Sequence, residues 1–228
     1  MQKIVKYSFY FGIFICLFAI ILILTTNAYL KPSLPKVKLV DEAELQMPLK
    51  VYTKDGILIG EFGEIKRRPT TYTEIPENIK NAFLAAEDDN FFNHQGISYT
   101  GLIRSFIRCL RPSGCEGGGG TITMQVVRGY LLTREQTVIR KIKEIFLALE
   151  LEGNLEKEEI FELYVNRIFL GNRSYGIEAA ANTYFDKNIK ELSISESATI
   201  AALAQLPSRV NPVKDPRRTK LRRNWILS

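Results

Sequence analysis

Histidine and cysteine are scarce in this chain. Its 228 residues hold one histidine, His94, and three cysteines. A structural zinc site needs four Cys or His ligands at close spacing, so a fold built around a metal is not expected. Cys16 lies in an apolar run and reads as a small apolar residue. Cys109 and Cys115 bracket a Leu-Arg-Pro-Ser-Gly loop and could close a small disulfide in an oxidising compartment. Aromatics are missing from the basic cluster Lys214, Arg217, Arg218, Lys220, Arg222 and Arg223, apart from Trp225. Proteins that bind single-stranded nucleic acid interleave the two, so this cluster reads instead as a solvated or lipid-headgroup-facing surface. The glycine run Gly117–Gly120 is not followed by Gly-Lys-Ser/Thr, which excludes a P-loop. No internal repeat is present.

What the chain does have begins with an uncharged stretch from Tyr7 to Leu30, dominated by Phe, Ile and Leu between Phe9 and Leu24. At about 1.5 Å per residue it is long enough to cross a hydrocarbon core of about 30 Å, and it exceeds the usual signal-peptide core. The expected organisation is a tail over 1–6, a transmembrane anchor over 7–30, a proline-marked linker over 31–48, a β-hairpin region over 49–75 and a mainly helical domain over 76–228. The hairpin rests on strands Lys50–Lys54 and Ile57–Phe62 around Asp55-Gly56, a strong turn signal. A net charge of +6 points to an anionic partner.

Helical periodicity carries the rest. Ile79, Ala82, Phe83 and Ala86 share one face of a helix beginning near Pro76. Over 136–152, Ile139, Ile142, Phe146 and Leu149 form an expected core face. Ile160, Phe161, Tyr164, Val165 and Ile168 form another, which Gly171 ends. Ser193 with Glu196 predicts a capping box.

Two adjacent carboxylates, Glu87 and Asp88, stand where the first of these helices runs out. A carboxylate on a rigid element, open to a cleft, suits acid/base work. Downstream, Arg140, Lys141 and Glu144 are spaced to share one helix face and could clamp a phosphate. Four glycines ahead of Thr121 leave the backbone free to approach a ligand.

Taken together these segments resemble the peptidoglycan glycosyltransferases of glycosyltransferase family 51, in particular the N-terminal half of a class A penicillin-binding protein. The pattern E-D-x-x-F-x-x-H-x-G is matched by Glu87, Asp88, Phe91, His94 and Gly96, and R-K-x-x-E by Arg140, Lys141 and Glu144. A third stretch is matched by Lys157, Ile160, Glu162, Tyr164, Asn166, Gly171, Gly176, Ile177, Ala180, Ala181, Tyr184 and Phe185, and a last one by Ala204–Pro212 with Arg209. The second family motif is altered: Gly120 stands for Ser, Met124 for the first Gln and Gly129 for Asn. Class A proteins continue into a transpeptidase domain, whereas this sequence runs to Ser228, inside what reads as a helix.

The resemblance implies a lysozyme-like, mainly α domain that polymerises lipid II into β-1,4 glycan and releases undecaprenyl pyrophosphate. It implies Glu87 as general base and Glu144 as a second catalytic carboxylate. Asp88, Thr121, Thr123, Gln125, Arg128, Arg140, Lys141, Tyr164, Asn166 and Arg209 would bind substrate or pyrophosphate. A divalent cation, Mg or Mn, is expected, with Glu144 as its candidate ligand. The partners implied are lipid II, the lipid-linked growing strand, membrane phospholipid and other cell-wall synthesis proteins, with no nucleic acid. The implied location is the bacterial cytoplasmic membrane, single-pass, with the catalytic domain on the periplasmic face. Two other readings stand beside this one: an inactive remnant that binds lipid-linked precursor, and a lytic enzyme that cuts the same glycan.

Overall fold

The computed structural model describes residues 49–62, 66–109, 120–132 and 138–228, with scattered positions between 10 and 35. The expected anchor over 7–30, the linker over 31–48 and the Cys115 half of the disulfide fall largely or wholly outside the described residues. Among the described residues no helix is long and apolar enough to cross a membrane.

Near the start, β1 (Leu49–Tyr52) and β2 (Leu58–Phe62) pair antiparallel, Leu49 opposite Phe62, with an irregularity between Val51 and Tyr52. Gly56 takes φ +82° in the connecting turn, a conformation in which a Cβ would be strained. A second, parallel pair joins β3 (Lys66–Arg67) to β4 (Ser174–Tyr175).

The remainder is helical: α1 (Glu77–Glu87), α2 (Tyr99–Cys109), α3 (Ile122–Tyr130), α4 (Val138–Glu152), α5 (Lys157–Arg167), α6 (Ile177–Phe185), α7 (Ile194–Leu203) and α8 (Pro216–Ile226). Pro76 precedes the first turn of α1, where its missing N–H costs nothing. Ser193 accepts from the Glu196 amide and Glu196 reaches back to Ser193, so the capping box of α7 is formed. Helix α3 packs on α4 and α5, while α7 is flanked by α1 and α8. Phe83, Phe91, Phe161, Ile122 and Leu147 are fully enclosed between them. Each such side chain contributes about 1.5–3 kcal/mol by leaving water.

The expected core face of α4 is corrected. Ile139 and Leu149 are exposed, and the buried residues are Glu144, Leu147, Ala148 and Leu151. The helix carries apolar residues on more than one face, and the face turned inward is the one that holds Glu144.

Candidate functional site

Helix α1 delivers Glu87 at its last position and Asp88 as its C-cap. The two neighbours do different work. Asp88 is buried, and its carboxylate accepts from the Ile122 amide at 3.1 Å and meets His94 Nε2 at 3.0 Å. It therefore fastens the end of α1 to the first turn of α3, where the helix dipole favours a negative charge. The Glu87 carboxylate is half-buried and accepts a hydrogen bond from Gln125 Nε2 at 2.8 Å. Burial pushes its pKa up; the Gln125 hydrogen bond and the charges of Arg222 and Arg128 oppose this, and Asp88 adds to it.

Several expected ligands have hydrogen-bond partners inside the protein. Thr121 caps α3: its hydroxyl accepts from the Met124 amide and donates to the Gly96 carbonyl at 2.6 Å. Thr123 is fully buried and donates to Glu152 Oε1. Asn166 is buried and forms a reciprocal pair with the Thr70 backbone, at 2.9 and 2.8 Å. Thr121, Thr123, Asn166 and Asp88, expected as substrate ligands, are each hydrogen-bonded to partners within the fold. Tyr164 is buried too, and its hydroxyl has no hydrogen-bond partner among the described residues. Burial and the nearby Glu87 charge hold it well above the usual phenol range.

The basic side chains remain outward. Arg128 and Arg209 are exposed. On α4, Glu144 is buried and accepts from Arg140 Nη1 at 2.5 Å and from Lys141 Nζ at 3.3 Å, one carboxylate oxygen each. This is the face-sharing clamp that the i, i+3 and i, i+4 spacing predicts. A Cβ at Gly120 would stand 3.8 Å from Lys141 Nζ, so the start of α3 adjoins the clamp. Gln125 lies five residues along, roughly 7 Å by helical rise, and touches Glu87. Helix α3 thus spaces the cations from the carboxylate. No contact among the described residues links Arg209 to either.

The altered second motif is explained position by position. Met124 is in the core, where an unpartnered amide would be costly. A side chain at 129 would meet Arg167 at 3.0 Å; the Arg167 guanidinium lies 4.3 Å over the Tyr130 ring. At 120 a Cβ would reach ordinary van der Waals contact with Lys141 Nζ.

A divalent cation does not fit as a protein-held group at Glu144, since both its oxygens face cationic partners. Among the described residues no group of three or more His, Cys, Asp or Glu side chains is arranged to hold a metal ion.

Two features escaped sequence reasoning. Lys157 Nζ donates to the His94 carbonyl at 2.6 Å and to Glu152 Oε1 at 2.7 Å, and stands 4.4 Å over the Phe91 ring. Arg222, grouped by sequence with a surface cluster, faces inward against α1. The helical spacing of Thr219, Arg222 and Ile226 could have marked that face, since the two flanking residues are buried.

A family model described as Transglycosylase matches residues 55–228. The chain is 53% identical over 199 residues to Penicillin-binding protein 1A of Pseudomonas aeruginosa, covering 87% of the chain and 24% of that relative. It is 47% identical to the Haemophilus influenzae protein of the same name, covering 82% of the chain and 22% of the relative. With that of Escherichia coli it shares 40% identity, covering 100% of the chain and 27% of the relative. The chain spans about a quarter of the length of these curated relatives.

Proposed function

Because the chain belongs to the transglycosylase family, we propose that it is a peptidoglycan glycosyltransferase that polymerises lipid II into linear β-1,4 glycan and releases undecaprenyl pyrophosphate. The observation that carries this reading is the Glu87 carboxylate, held on a helix end by Gln125 and made more basic by burial. A sugar 4-hydroxyl is a weak nucleophile and needs a base placed within hydrogen-bond reach. The raised pKa brings Glu87 nearer the working pH than an open carboxylate.

The leaving pyrophosphate gains negative charge as the anomeric bond breaks, and cations held in place stabilise it. Arg140 and Lys141 would do this, with Glu144 keeping both heads aligned. Arg128 supplies a further exposed cation beside Glu87. A single displacement inverts the anomeric centre and gives the β linkage. No step is routed through a metal ion, since the donor set at Glu144 does not fit one.

In this reading the helical domain is lysozyme-like and works on the periplasmic face of the bacterial cytoplasmic membrane. The expected anchor over 7–30 would keep it beside substrates with long lipid tails. Phospholipid and other cell-wall synthesis proteins are its further proposed partners.

The test is polymerisation of lipid II by the detergent-solubilised chain, wild type beside Glu87→Gln. Glycan strands from the wild type, with at least a 100-fold loss in the variant, are expected. Equal polymer from both would remove Glu87 from the role of base, and none from either would overturn the reading.

A further inference from the structure

The basic cluster near the C-terminus divides in space. Lys214, Arg217, Arg218 and Lys220 are exposed, whereas Arg222 turns towards α1. Its Nη2 donates to the Ala86 carbonyl at 3.0 Å, and its guanidinium lies 4.0 Å over the Trp225 ring. Ala86 immediately precedes Glu87, and its carbonyl is among the last four of α1, which have no partner within the helix. Arg222 thus caps the helix that carries Glu87, with a positive charge at the end where the dipole favours one.

The surroundings of Glu87 come from four elements. Asp88 follows it on its own strand of chain, Gln125 and Arg128 come from α3, Tyr164 from α5 and Arg222 from α8. Arg128 is exposed and open to screening, while Arg222 is only partly exposed. Arg222 Nε is buried and has no hydrogen-bond partner among the described residues. A buried donor left unsatisfied costs stability, and such groups tend to persist where they serve a function.

We infer that Arg222 is a positioning residue for Glu87: by capping α1 at the Ala86 carbonyl it fixes where the base sits and brings a positive charge to that helix end. This rests on the polymerase reading given above. Burial opposes charge on Glu87, and of the two cations acting on it Arg222 has the larger effect.

The experiment follows the Glu87 carboxyl by ¹³C NMR in glutamate-labelled, substrate-free protein, with Glu87→Gln for assignment. The pH profile of lipid II polymerisation is recorded beside it. In Arg222→Gln the Glu87 titration and the acid limb of kcat/KM should both move up by roughly half a pH unit or more. Arg222→Lys, which keeps the charge, should bring both most of the way back. Trp225→Leu loosens the same helix without removing charge and should leave the titration where it was. Arg222→Met serves if Arg222→Gln does not fold. An unmoved Glu87 titration in the folded, uncharged variant would overturn the inference, as would an equal shift in Trp225→Leu. A wild type that makes no polymer while Glu87 still responds to Arg222 would sink the polymerase reading and leave the coupling standing.

Discussion

Burial at Glu87 has a cost that sets a sign. Its folded pKa is raised, so the folded state prefers the protonated carboxyl. Below the unfolded value of about 4.3, the group is neutral in both states and contributes no difference. As pH rises past that value the unfolded chain ionises more readily, and stability falls until the folded pKa is passed. Glu87→Gln should therefore melt higher than wild type at neutral pH and at the same temperature near pH 4, while losing polymerisation. Scanning calorimetry at the two pH values reads this directly. Tyr164 makes a related case, since its hydroxyl is buried without a partner among the described residues. Removing a buried, unpartnered hydroxyl is worth about 1 kcal/mol, so Tyr164→Phe should raise the denaturant midpoint. A simultaneous rise in KM for lipid II would place that hydroxyl on the substrate.

Between elements, the strongest tie is ionic. Lys157 joins α5 to the His94 carbonyl and to Glu152 on α4, and Glu152 also accepts from Thr123 on α3. The Glu152 side chain is 8% exposed. Lys157→Met would strand that carboxylate, at a cost of about 3 kcal/mol. The melting temperature should fall by roughly 10 °C, and a fall of under 2 °C would show that the network is not under load. Gly96 belongs to the same junction: it has φ +77°, and a Cβ there would come within 2.9 Å of the Ala148 carbonyl oxygen. How far the sequence revealed these elements depended on their periodicity. In α1 and α5 the apolar residues fall mostly on one stripe, and Ile79, Phe83, Ile160 and Val165 are buried as the spacing requires. In α4 more than one face is apolar, and the choice between them came from a carboxylate that needs two cations. Burial of a charge is decided by its partners, which a hydrophobic pattern does not record.

At the scale of the whole molecule, the motifs pointed to residues whose partners within the fold they did not reveal. Glu87, Gln125, Arg140, Lys141 and Glu144 were legible because their spacing is local, or because one helix links them. Asp88, Thr121, Thr123 and Asn166 belong to the same motifs, and their hydrogen-bond partners within the fold were not legible. Their partners lie across the fold: Thr70 is 96 residues from Asn166, and Ile122 is 34 from Asp88. The Ala86–Arg222 bond spans 136 residues. A single sequence shows the two ends of such bonds and not the bond.

That long span has a further consequence, in time. A chain is made from its N-terminus, and domains assemble in that order. Helix α1 with Glu87 emerges well before α8, which carries Arg222. Until then the carboxylate stands at a helix end that lacks its Arg222 cap. Within this domain a later-made helix thus completes the surroundings of a carboxylate carried by an earlier one.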